Sequence, residues 1–204
     1  MKIVIPSLLP VVSDFIFKLI FGDQRNVDIL AEFLKSVLGI PDNEYSHLTI
    51  VDPHVKKESK DDKYGILDVK VHTKSGNVIH VEVQLLIIPE MIERSIYYQS
   101  KMVTEQLSSG KNYRMLKRVV SIIITDFPLV RGNEHYHNQF RYRSDKDGVE
   151  FTDLVEINVL ELPKLRQVKA RSKESLETAI AQALDCVTPS DILAWFVECE
   201  YSIQ

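Results

Sequence analysis

Apolar residues recur at helical spacing in two early segments. Phe17, Ile20 and Phe21 share one face of a short helix that Ser13 can cap and Gly22 can stop. Behind Asn26, a second capping residue, Ile29, Leu30, Phe33, Leu34, Val37 and Leu38 repeat at the same spacing until Gly39 and Pro41. From Leu48 the period drops to two. Residues 48–57 predict a first strand, which Pro53 confines to an edge or a bulge. Residues 66–72 and 78–84 then alternate cleanly around Lys74-Ser-Gly-Asn77, the pattern of a β-hairpin. A helix is expected over 90–108, with Ile92, Ile96, Val103 and Leu107 on its buried stripe. Residues 119–125 are β-branched and almost wholly apolar, as in a strand covered on both faces. Short strands at 140–143 and 154–160 lie on either side of a turn at Gly148, and helices follow over 172–186 and after Thr188. The order predicts one mixed α/β domain, a central β-sheet flanked by helices.

The register of the hairpin decides its chemistry. A two-residue loop at Ser75-Gly76 would pair Val69 with Glu82 and place a carboxylate among valines. A three-residue loop, Lys74-Ser75-Gly76 with Gly76 left-handed, pairs Asp68 with Glu82 and Lys70 with His80 and puts every valine on the other face. Burial of the apolar face selects the second register. Two carboxylates opposite one another repel. In a shielded site they share a proton or hold a cation, and a hard ion such as Mg²⁺ suits two carboxylates completed by water and phosphate. On a solvated face the same pair would simply be screened by Lys70.

The chain has 204 residues, 45% apolar and 26% charged, the balance of an ordinary globular domain. Its net charge of −4 excludes a uniformly basic nucleic-acid coat but not a local basic face. Two cysteines, Cys186 and Cys199, form no disulfide framework and suit a reducing, cytoplasmic setting. No run approaches the ~18 apolar residues of a membrane span. The apolar start, residues 1–12, holds Pro6 and Pro10 and lacks a small-residue cleavage site, so it reads as mature protein.

Asp68, a glycine-containing turn and Glu82-Val-Gln84 resemble the D…(D/E)-x-K signature of PD-(D/E)xK nucleases, with glutamine where lysine usually stands. Further stretches match in order and rough spacing: Asp14-Phe-Ile-Phe-Lys-Leu-Ile-Phe-Gly22, Ile66-Leu-Asp-Val-Lys70, Val81-Glu-Val-Gln84, Arg94 with Tyr97-Tyr98, Gln106, and Glu161-Leu-Pro-Lys164. Across residues 14–164 the chain resembles the Rpn (recombination-promoting nuclease)/transposase family of that superfamily. The resemblance implies a restriction-endonuclease-like fold and a Mg²⁺-dependent DNA endonuclease, Mn²⁺ being an alternative ion. Asp68 and Glu82 would be metal ligands, with the Val83 carbonyl a third, and Gln84 would take the lysine position. It can orient a water or a phosphate oxygen but brings no charge. Lys70 on the same strand face, Lys18 on the first helix, or the metal alone would have to supply that charge. Asp14 fits the acidic residue that such nucleases often draw from an early helix; it is equally a helix-start carboxylate. Glu32 is a weaker candidate.

Residues 94–118 hold six positive charges (Arg94, Lys101, Lys111, Arg114, Lys117, Arg118) against Glu105. With Tyr98 and Gln106 they make a candidate DNA-contact surface flanking the site. His72 and His80 are expected as surface neighbours of the site, and His135 and His137 as part of a polar loop. The domain is expected to divide into a core, 1–164, and a helical extension, 165–204. A homodimer is expected, because cutting both strands takes two sites. The rival expectation is a DNA-binding or protein-interaction module that keeps the fold without turnover, favoured by Gln84 and by the apolar 85–88 stretch.

Overall fold

A computed structural model describes residues 14–52 and 68–167. Helix α1 (Asp14–Phe21) and helix α2 (Val27–Val37) come first. The Gly22 amide closes α1 by donating to the Lys18 carbonyl at 2.8 Å. A Cβ at Gly22 would lie 2.4 Å from that oxygen, so a larger residue cannot end the helix there. Asn26 makes no side-chain cap on α2. Its amide instead donates to the Ile20 carbonyl at 3.0 Å, tying α2 to α1. Phe17, Phe21 and Phe33 pack ring against ring between the two helices. Ser13, Trp195, Phe196, both cysteines and the helices expected over 172–186 and after Thr188 lie outside the described residues.

Six strands follow: β1 (Thr49–Val51), β2 (Val69–His72), β3 (Val78–Gln84), β4 (Val119–Thr125), β5 (His137–Arg143) and β6 (Glu150–Glu161). They form one mixed sheet in the order β1-β2-β3-β4-β6-β5. The β1-β2-β3 and β5-β6 pairs are antiparallel, while β3-β4 and β4-β6 are parallel. The β3–β4 crossover is helix α3 (Met91–Thr104). A short helix, α4 (Leu162–Gln167), follows β6 and carries Leu165 into the main core. Among the described residues no helix is long and apolar enough to cross a membrane.

The hairpin adopts the register that valine burial selects. Val69 faces Val81, Lys70 faces His80, and Val71 faces Ile79. Thr73 donates to Asn77 across a loop of Lys74, Ser75 and Gly76, and Gly76 has φ +84. Val69, Val71, Ile79, Val81 and Val83 join α1 and α2 in the main core. Burying five such side chains, at roughly 2 kcal/mol each, is what fixes this register.

Helix α3 covers that opposite face, but not with the expected stripe. Met91, Ser95, Tyr98, Gln99 and Met102 are buried, whereas Ile92 and Ile96 are about half exposed. The sheet beneath α3 carries His80, Glu82 and Ser121, so a partly polar helix face matches it better than an isoleucine stripe. Ile92 and Ile96 turn instead to an apolar groove of about 850 Å³, shared with Ile87, Phe140 and Val159.

Candidate active site

Asp68 does not lie in a ladder pair with Glu82. Strand β2 begins one residue later, at Val69, and Asp68 sits in a bend before it. From there its Oδ2 accepts the Val83 amide hydrogen at 2.7 Å. The Asp68 carboxylate therefore rests on the peptide unit that joins Glu82 to Val83. In an extended strand the N–H and C=O of one residue point to the same side. The Val83 carbonyl thus faces the edge occupied by Asp68.

Each carboxylate is buried and has a cationic neighbour. Lys18 of α1 places Nζ 3.0 Å from Asp68 Oδ1. Arg94, in the first turns of α3, places Nη2 3.1 Å from Glu82 Oε1. Because α1 and α3 lie on opposite faces of the sheet, the two cations come from opposite layers. The expectation that Asp68 and Glu82 share one polar face is corrected to this extent: Asp68 stands at the margin of the sheet, engaged from the α1 side, and Glu82 points towards α3.

The lysine alternatives separate. Lys70 pairs with Glu105 Oε2 at 3.2 Å, beyond the far end of α3. This draws its ammonium away from Glu82, so the structure does not bring Lys70 into the site. Lys18 is in it. Gln84 donates its amide to the Leu86 carbonyl at 2.9 Å. Asp14 opens α1, but its side chain lies outside what is described. Glu32 is exposed on α2 and paired with Lys35.

His80 is not a surface residue. It is 2% exposed, and neither ring nitrogen has a hydrogen-bond partner among the described residues. Its Nε2 stands 3.9 Å from Glu82 Oε2. Burial, together with the charges of Lys70 and Arg94, lowers its pKa to about 3. The ring is neutral at physiological pH and a poor proton acceptor.

The expected DNA surface divides. Arg94 is at the site, stacked over the Tyr98 ring at 5.2 Å. Tyr98 is buried and offers little ring to a base. Gln106 is occupied by backbone: its Oε1 accepts from the Lys117 amide at 2.7 Å, and its Nε2 donates to the Lys117 carbonyl at 3.1 Å. Arg118 is bound to the buried Glu156. Lys101 lies in the last turn of α3, seven residues beyond Arg94. Lys111 and Arg114 are exposed, but on the loop leading into β4, beside the hairpin turn, where Gly76 approaches the Lys117 side chain. That end is four residues down β3 from Glu82, ~13 Å at 3.3 Å per residue. Only the first part of the basic segment flanks the carboxylates. A cleft of about 350 Å³ lined by Lys70, His72 and Lys117 opens at the far end.

Sequence reasoning missed the roles of two groups. The Arg94–Glu82 contact left a periodic trace only in hindsight, as a basic residue in the first turns of the helix that crosses over Glu82. Glu161 and Lys164 are a structural clasp: Glu161 accepts from the Leu129 and Val130 amides and from Asn138, and Lys164 pairs with it at 2.7 Å. His137 sits on β5 against Asn158 rather than in a loop.

A family model matches residues 11–184: PD-(D/E)XK nuclease family transposase. The chain belongs to this family. Its mixed six-stranded sheet with flanking helices is the restriction-endonuclease-like α/β fold of PD-(D/E)XK proteins, and membership makes it a nuclease-type protein. No curated protein and no solved structure matches the chain.

The donor set suits a divalent cation in a limited way. Among the described residues no group of three or more His, Cys, Asp or Glu side chains could hold a metal. Two carboxylates and a backbone carbonyl remain, each carboxylate already turned to a positive group. So sparse an all-oxygen set fits a hard divalent cation that keeps part of its water shell.

Proposed function

We propose that the protein is a Mg²⁺-dependent endonuclease that hydrolyses phosphodiester bonds in DNA, in a transposase-like or recombination-promoting role. The observation that carries this reading is the Asp68 carboxylate on the Glu82–Val83 peptide. It sets the Asp68 carboxylate on the peptide unit from which the Glu82 side chain departs, on the strand side that the Val83 carbonyl faces. Asp68, Glu82 and the Val83 carbonyl would hold the ion, which when bound supplies Lewis acidity towards the scissile phosphate. Lys18 supplies the positive charge that Gln84 lacks. Its ammonium is beside Asp68 and its side chain is over a third exposed, so it can reach a phosphate oxygen. Gln84 orients polar groups at the strand end. Asp14 precedes Lys18 by four positions, hence on the same face of α1, and is the candidate helix carboxylate. Arg94 contacts the backbone of the DNA near the cut, and Lys101, Lys111 and Arg114 further away. A homodimer would bring two such sites to one duplex.

Supercoiled plasmid separates the outcomes. Nicking with Mg²⁺ or Mn²⁺, lost in chelator and lost in Asp68→Ala, is the expected result. Equal cleavage by wild type and Asp68→Ala would assign the activity to a contaminant and end the proposal. One observation favours a second reading. Gln84 is turned onto its own strand end, and Leu86 and Ile87 beside it are largely exposed. A module that retains DNA without cutting it would show plasmid binding and no nicking under every metal condition.

A further inference from the structure

We propose that Arg94 is an internal counter-cation whose release from Glu82 couples metal uptake to the arrival of a DNA phosphate. The inference rests on the proposed metal site. It adds an order of events and a positioning residue to that site.

Arg94 Nη2 holds Glu82 Oε1 at 3.1 Å, on the carboxylate that a divalent ion would need. A guanidinium and a divalent cation cannot share one buried carboxylate without strong repulsion. Metal uptake therefore requires the guanidinium to move. The structure gives it the means. The Arg94 side chain is over a third exposed, whereas Glu82 is almost fully buried, so the arginine is the mobile partner. Tyr98 supports the guanidinium from beneath, 5.2 Å from the ring centroid, so an arginine that leaves Glu82 stays near the site. The Arg94 Nε–H finds no acceptor among the described residues. One contact to Glu82 thus leaves a forked donor partly unused, and a phosphate, which accepts two parallel N–H bonds, would use it better.

The contrast lies in the same sheet. Glu156 is buried with two arginines, Arg118 and Arg141, and also accepts from Gln139 and Asn158. Both of those arginines are much less exposed than Arg94. Glu156 is thus held by four side-chain donors and by arginines less exposed than the one that meets Glu82. Of the two clusters, the Arg94–Glu82 pair is the one on a carboxylate of the candidate active site.

Mn²⁺ binding by the full chain tests this, measured by calorimetry with and without a short phosphorothioate-linked duplex. Coupling between two ligands usually amounts to roughly 5–150-fold in affinity. Wild type is expected to bind Mn²⁺ weakly alone and about tenfold more tightly with duplex. Arg94→Met is expected to bind Mn²⁺ about tenfold more tightly than wild type without duplex and to gain less from duplex than wild type does. Arg94→Gln keeps a hydrogen-bond donor for Glu82 and drops the charge; it makes the same comparison if Arg94→Met fails to fold. Unchanged or weaker Mn²⁺ binding in these variants would overturn the proposal while leaving the metal site intact. Glu82→Gln isolates the other failure. If it takes up Mn²⁺ as wild type does, the metal is not at Glu82, and the site itself falls together with the coupling.

Discussion

Asp68 Oδ2 accepts the Val83 amide hydrogen at 2.7 Å, where a ladder partner of β3 would otherwise stand. A side chain replaces a backbone carbonyl at the point where β2 gives way to a bend. The exchange satisfies a strand donor, fixes the carboxylate beside Glu82, and leaves Oδ1 to Lys18. Position and chemistry come from one hydrogen bond.

Lys18 and Lys70 make opposite predictions. Removing one preorganised electrostatic group from a nuclease-type site costs on the order of 100-fold in turnover. Lys18→Met is expected to lose about that much in single-turnover cleavage while retaining DNA binding. Lys70→Met should cleave close to wild type but unfold more easily, because the Lys70–Glu105 ion pair is lost; about 1–3 kcal/mol is expected from denaturant titration. A cleavage defect in Lys70→Met larger than in Lys18→Met would reverse the assignment.

His80 makes stability acid-sensitive. Burial, with Lys70 and Arg94 nearby, sets its folded pKa at about 3, against 6.5 in the unfolded chain. Between those values the unfolded state binds the proton that the folded state refuses. Stability is therefore complete above pH 6.5 and falls as the pH drops towards 3, by up to about 1.4 kcal/mol per unit. Urea titrations at pH 7.5 and 5 should show the loss, and His80→Leu should show less of it. An equal loss in both proteins would place the acid sensitivity elsewhere.

Glu161 is expected to matter for folding and not for cleavage. Alanine there strands the amides of Leu129 and Val130 and leaves Lys164 buried without its carboxylate. Breaking a buried pair of this kind costs about 3–5 kcal/mol. Melting and denaturant curves of Glu161→Ala should show it, with wild-type Mn²⁺ affinity in the protein that remains folded. Unchanged melting would refute the clasp.

Lys111 and Arg114 test the path of the DNA. Each phosphate contact contributes about 0.9 to the slope of log affinity against log salt. The double substitution Lys111→Ala, Arg114→Ala should flatten that slope by about two if the duplex runs from the carboxylates to the hairpin end, with metal binding unchanged. An unaltered slope would confine the DNA to the Arg94 end.

Legibility in the sequence was uneven for physical reasons. Local spacing was enough for the helix over α2, because Leu30, Phe33 and Leu34 bury against a single layer. For α3 it was not. Its burial is set by what lies beneath it, and a sheet face bearing His80, Glu82 and Ser121 selects Ser95, Tyr98 and Gln99 over Ile92 and Ile96. Charge counting found a basic segment but not its division, since α3 carries Arg94 to one end of the sheet and the following loop leaves Lys111 and Arg114 at the other.

Alternation and turn chemistry, read from the chain alone, determined the hairpin, its loop and its register. A period of two and a left-handed glycine leave one pairing that buries the valines. Those same residues nominated Asp68 and Glu82. Which cation meets which carboxylate was decided only by the tertiary structure. Lys18, Lys70 and Arg94 are long, flexible and far apart in sequence, and the packing of α1 and α3 on opposite faces of the sheet determines where each ammonium or guanidinium can reach.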